Sequence, residues 1–509
     1  MSAMQYGLRW APARWSRAGR RVAMPLLVVA TTACYRPPTE ARPQGGWSYE
    51  VDAPVAGSRV VTVEATFEGA RTERLTLPRE MLAYVRDMKV RTGNTYRTIE
   101  RREDEWFERS CNWRCTVRYH VDLEELAEGC GDEVDCARRV GEATLSPALA
   151  WLVHPTPRQD VPVRVRVRTP DPAQFASGMH AADEASPEPG ARMFEFRSFD
   201  LDEGSFTAFG PMRRHRIEVP GSRGSKALLD VAVLGSKKYA MTDGQIWEWI
   251  EDAAKVTIPL FGRFPVDRTT LFIVPAKGED EVVFGKVLSL AGASVVLVVG
   301  DRMPASARHK DWVLVHELFH LGFPTFRGEG RWLGEGLATY YEPILRARAG
   351  WITQNEVFRQ FARNMPRGQA EPGSTVGLAS RTDLDAIYWG GALFCLAADV
   401  RIREETRGKR SLDDVLRVLL ERGGDATRVW TVRDVLRLGD AVTGTSVLSD
   451  MYERHAVGSE RIDVDALMSA LGAPRDGLDA DDSKPLAWIR RGITEGATRD
   501  TVAHRIPRD

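Results

Sequence analysis

Trp312-Val313-Leu314-Val315-His316-Glu317-Leu318-Phe319-His320 decides the reading of this chain. Residues four apart on a helix share a face, so His316 and His320 can close on one metal ion while Glu317 stands beside it. His-Glu-x-x-His is a zinc-hydrolase pattern, and such a zinc ion needs a third protein ligand and an open position for water. Glu335 is the candidate third ligand. It lies in Trp332-Leu333-Gly334-Glu335-Gly336-Leu337-Ala338-Thr339-Tyr340-Tyr341, which reads as the start of a second helix. The apolar residues before His316 make the first helix semi-buried, where a carboxylate without a task would be costly.

The chemistry assigns roles. Neutral His316 and His320 and anionic Glu335 are expected to hold Zn2+, which acidifies a water and polarises a scissile carbonyl. Glu317 is the expected base, taking the water proton and passing it to the leaving amine. Charge that develops on the carbonyl oxygen needs a further donor. Tyr388, in Ala386-Ile387-Tyr388-Trp389-Gly390-Gly391, precedes a long apolar helix and is the candidate. A tyrosine in such a place is as often a packing residue.

Around this centre the chain changes character. From Trp47 to Val219 it is strand-like: Tyr49 to Ala53, Val60 to Phe67, Cys115 to Val121, Val161 to Val167 and Met193 to Phe199 alternate apolar and polar residues. This part reads as an antiparallel sandwich. After Pro220 the pattern mixes a helix from Gln245 to Val256 with short strands at Thr269 to Val274 and Val295 to Val299. Beyond Glu335 apolar residues recur at helical spacing, as in Gly391 to Glu405 and Leu412 to Leu419. The expected fold class is therefore multidomain α+β. Its divisions are a leader at 1–34, a β-rich N-terminal sandwich at 45–220, a catalytic unit at 221–345, a helical domain at 346–475 and a charged, partly disordered tail at 476–509.

Composition narrows the partners. With 70 Lys and Arg against 71 Asp and Glu, the net charge of -1 gives no basic surface for nucleic acid, and no nucleic-acid motif is present. The first 34 residues carry arginines, then the apolar run Val22 to Ala30 and small residues before Cys34, the pattern of an export signal. Cys34 stands where the lipidated cysteine of a bacterial lipoprotein would, giving membrane attachment and a periplasmic or outer-membrane location. Thr31 occupies a place where such signals usually have Leu, so plain secretion is the alternative. Cys111, Cys115, Cys130 and Cys136 could hold a metal, but the five residues between the second pair exceed the usual zinc spacing. Two disulfides in an oxidising compartment are expected, with the pairing open, and Cys395 reads as a buried small hydrophobe.

Together His316 to His320, Trp332 to Tyr341 and Tyr388 to Gly391 resemble the gluzincin peptidases, and most closely the M61 glycyl aminopeptidases, relatives of the M1 aminopeptidases. The likeness continues through Arg346 to Thr353, Asp399 to Arg403 and Gly408 to Val415. It implies a thermolysin-like zinc catalytic domain, His316, His320 and Glu335 as ligands, Glu317 as base, and Tyr388 as the oxyanion donor. A peptide or small protein is the implied substrate. There are departures. The 14 residues between His320 and Glu335 make a shorter loop than in M1 enzymes. The stretch from Phe284 to Ser294 lacks the Gly-x-Met-Glu-Asn motif whose Glu grips a free substrate amine, and neither Glu279 nor Glu281 can be placed there from sequence. The 36 residues after Ala473 are too short for the PDZ module of many M61 members. Aminopeptidase activity is thus an expectation from likeness, beside two alternatives: a zinc endopeptidase without an amine anchor, and a non-catalytic lipoprotein scaffold.

Overall fold

The computed structural model describes residues 45–496 apart from 55–58, 70–72, 110, 112, 132, 170–173, 183–189, 236–238, 327 and 475–478. The leader and Cys34 lie outside the described residues. No helix among those described is long and apolar enough to cross a membrane.

Alternation in the N-terminal sequence becomes a seven-stranded sheet. In order across it run Ala191–Arg197, Pro162–Arg168, Trp47–Asp52, Val60–Glu68, Arg114–Asp122, Val85–Thr92 and Thr95–Thr98. Val61, Val63, Ala65 and Phe67 point inward from one strand, Val163, Val165 and Val167 from another. The sheet is not wholly antiparallel, because Trp47–Asp52 runs parallel to Pro162–Arg168. That pairing joins strands more than a hundred residues apart, and period-two alternation carries no record of strand direction. Two four-stranded sheets accompany it. The cysteines pair locally, Cys111 with Cys115 and Cys130 with Cys136, while Cys395 is free and buried.

A five-stranded sheet carries the site. Its order is Met212–Pro220, Lys226–Leu234, Arg268–Ala276, Ser294–Gly300 and Val282–Leu288, with the last strand at an edge. Since Met212–Pro220 pairs along its length with Lys226–Leu234, this sheet begins before residue 221. Both faces are covered, which explains the unbroken apolar run Val295 to Val299. Val295, Leu297 and Val299 pack toward the helices, whereas Val296 and Val298 pack with Leu145, Phe206 and Ala208 of a smaller N-terminal sheet.

Helices build the other wall. Asp243–Phe261 starts at a Thr242/Gln245 capping box and stops at left-handed Gly262. Val313–His320, Arg331–Arg348 and Gly391–Glu405 follow, then Leu412–Glu421 and Val432–Thr443. Buried polar ties lock three of them: Tyr340 donates to Asp399 and Tyr341 to Asp413, each at 2.9 Å, and Arg348 pairs with Asp413 at 2.9 Å. The charged tail is not all loose. Helix Ala487–Glu495 buries Ile489 and Ile493, and Arg348 donates to the Ile493 carbonyl at 2.8 Å. Its apolar spacing is short and lies among charges, so composition hides it.

Candidate active site

The motif helix Val313–His320 begins just after Asp311, whose carboxylate accepts from the backbone N–H of Val313 at 3.2 Å and Leu314 at 3.1 Å. Two of the helix's orphan donors are thereby satisfied, which fixes where the helix starts. Helix Arg331–Arg348 brings Glu335 opposite the two histidines. It crosses the next participant at glycines: a Cβ on Gly336 would lie 2.4 Å from the Gly391 Cα, so only bare backbone permits the crossing. A π-turn over Ala386–Gly390 precedes that contact and carries Tyr388 toward His316.

Three donor atoms converge. The Nε2 atoms of His316 and His320 are 3.2 Å apart, and Glu335 Oε2 lies 3.3 Å from the first and 3.4 Å from the second. Ligands bound tetrahedrally to zinc at about 2.0–2.1 Å stand about 3.3–3.4 Å from one another, so this triangle fits one zinc ion. Among the described residues no other group of three His, Cys, Asp or Glu has this convergence. The donors are also prepared electrically. Burial holds the His316 imidazole below its usual range. For Glu335 burial acts upward, but His320 and His316 outweigh it and keep the carboxyl well below the usual carboxylate range. Burial pulls His320 down too, yet the Glu335 charge prevails and raises it.

Glu317 is 8% exposed, and burial pushes its carboxyl up to about 8. Edge strand Val282–Leu288 passes directly over it. A Cβ on Gly285 would lie 2.6 Å from Glu317 Cγ and 2.7 Å from both Glu317 Oε1 and Val313 Cγ1. The Tyr388 ring stacks by His316 with centroids 6.1 Å apart. Burial, then the charges of Glu335 and Glu317, raise its hydroxyl so that it stays protonated, while Arg331 hydrogen-bonds to it. A guanidinium only donates, so the phenol oxygen accepts and its own proton remains free to give.

All five candidate residues therefore meet at one place. Three supporting residues escape motif reading. Arg331 stands one helical turn before Glu335, a spacing visible in sequence, but its use depends on where Tyr388 arrives. Gly285 and Asp311 matter through contacts that only the fold creates. The edge strand carries no acid: its one charged side chain, Lys286, pairs with Asp135 at 2.6 Å. Glu279 and Glu281 are exposed before the strand, and Glu281 is four residues, about 13 Å along it, from Gly285.

Comparison with known proteins bears on the fold. The fold, α+β with a β-rich N-terminal part and a helical C-terminal part, resembles that of M1 aminopeptidases. An aminopeptidase N family protein from Idiomarina loihiensis superposes with a TM-score of 0.62 at 16% identity, over 84% of this chain and 78% of that one. An M1 zinc metallopeptidase from Deinococcus radiodurans gives 0.53 at 14% identity, over 83% and 95%. A mutant of the latter, bound to a Tyr-Ser-Ala substrate, gives 0.50 at 15% identity, over 83% and 95%. No curated protein gives a significant match. Fold and donor set thus define a peptidase class whose metal is Zn2+. The particular likeness is to M61 glycyl aminopeptidase, the family whose model matches residues 325–393, the segment holding Glu335 and Tyr388.

Proposed function

We propose that the chain is a zinc-dependent metallopeptidase in which His316, His320 and Glu335 hold the metal, Glu317 is the general base and Tyr388 the oxyanion donor. The observation that carries this is the 3.2–3.4 Å triangle of donor atoms with a buried carboxyl beside it. Bound Zn2+ supplies Lewis acidity, acidifying water and polarising the scissile carbonyl. Glu317 accepts the proton of the attacking water and delivers it to the leaving nitrogen as the C–N bond breaks. Tyr388 gives its O–H to the carbonyl oxygen as charge gathers there. A scaffold has no use for Glu317 in that position, since a buried carboxyl without a task only costs stability.

Aminopeptidase action on peptides is the reading the M61 likeness favours, within a thermolysin-like catalytic unit. A second reading, endopeptidase action, draws on the edge strand, which offers no carboxylate to a substrate amine. Export is the proposed setting, by lipidated Cys34 or by secretion, and the two disulfides suit an oxidising compartment. Metal analysis with paired free and N-acetylated peptides tests the assignment. About one zinc per chain is expected. Cleavage of free peptides alone supports the aminopeptidase reading, whereas cleavage of both supports the endopeptidase. A zinc-loaded protein that cleaves neither overturns the peptidase assignment.

A further inference from the structure

Four large aromatic side chains are exposed among the described residues: Trp113, Phe199, Trp312 and Trp488. Trp113 lies just before a strand of the N-terminal sheet, Phe199 in a short turn, and Trp488 on the last helix. Trp312 alone adjoins the metal donors. It is one helical turn before His316 and two before His320, so all three share a face. Its indole stands perpendicular to the His316 ring at a centroid distance of 5.7 Å, yet stays 37% open to solvent. Tyr388 stacks near the same imidazole at 6.1 Å. His316 is thus flanked by a phenol and by an indole that is only partly covered.

We propose that Trp312 is the wall of a substrate side-chain subsite, selecting peptides with an aromatic or large aliphatic residue beside the scissile bond. The inference rests on the peptidase reading of the site. A carbonyl placed between the metal donors and the Tyr388 hydroxyl has its neighbouring Cα atoms about 3.8 Å apart. The indole stands 5.7 Å from the His316 ring, so a ring carried over that imidazole by one of those residues would meet it in the roughly 4.5–7 Å range at which aromatic pairs attract. The charged groups nearest this wall are already engaged, Arg331 in its hydrogen bond to Tyr388. Asp311 is spent on the N–H groups of Val313 and Leu314, Lys286 is paired with Asp135, and the edge strand holds no acid. Apolar contact is the recognition this wall offers.

The test uses the zinc-loaded full chain with Glu317→Gln, which keeps peptides intact, and two tripeptide series, X-Ala-Ala and Ala-X-Ala, with X as Gly, Leu, Phe, Glu or Lys. Calorimetric Kd values are expected to favour Phe or Leu over Gly about tenfold at one position. Adding Trp312→Ala should reduce that ratio to about twofold or less, and Trp312→Phe should restore part of it. Trp488→Ala should leave the ratio as it was. Equal ratios with and without the indole, no preference at either position, or preference for Glu or Lys overturns the subsite. Hydrolysis by wild type separates the two claims: selective binding in a chain that cleaves nothing keeps the subsite and sinks the peptidase reading.

Discussion

Tyr388 is where one proton separates two roles. Tyr388→Phe keeps the ring against His316 and removes the donor. If the hydroxyl serves the oxyanion, kcat should fall about 10²–10³-fold with a smaller change in KM and no loss of zinc. Unaltered kcat would leave the tyrosine a packing residue. Gly285 is argued from space instead of charge. Gly285→Ala must push the edge strand or Glu317 aside, because its Cβ would meet both Glu317 and Val313 below 3 Å. Steady-state rates should drop at least about tenfold while metal content holds, since small displacements of a reacting group are costly. The two histidines and Glu317 are legible as candidates because their chemistry follows helical spacing, and Glu335 because it opens the next helix. Gly285 was not, since nothing in Val-Phe-Gly-Lys says which carboxyl will lie beneath it.

At the scale of elements, the motif helix depends on Asp311. Although part of its surface is open, burial pushes its carboxyl up to about 6. An unfolded Asp titrates near about 3.9, so the folded chain holds this proton more tightly. The stability it contributes is full below about 3.9 and is lost as pH rises through about 6. Wild type should therefore lose ground to Asp311→Asn between pH 4 and 6, with a slope of at most about 1.4 kcal/mol per pH unit in denaturant unfolding. A pH-independent difference would mean that this carboxyl titrates alike in both states. Helix existence in the C-terminal half was readable from apolar period. The crossing at Gly336 and Gly391 was not, although both glycines stand in the quoted motifs, because close approach of two helices is a tertiary fact. Helix Ala487–Glu495 is hidden in the sequence for a related reason: its buried Ile489 and Ile493 are few and sit among charges.

For the molecule as a whole, the sheet that bears the site is clamped between the helices and a small N-terminal sheet. The N-terminal half therefore supports the edge strand that passes over Glu317, and Lys286 of that strand is paired with Asp135 in the loop closed by Cys130 and Cys136. Class and order of parts could be read from composition and period, but the parallel pairing of Trp47–Asp52 with Pro162–Arg168 could not. The central claim joins all three scales: two helices bring three donors to one zinc ion, and Glu317 uses it. Peptide hydrolysis by the Glu317→Gln protein, compared with wild type at equal zinc content, tests this most directly. The account predicts a rate lower by at least about 10²–10⁴-fold. Equal rates in the two zinc-loaded proteins would contradict it.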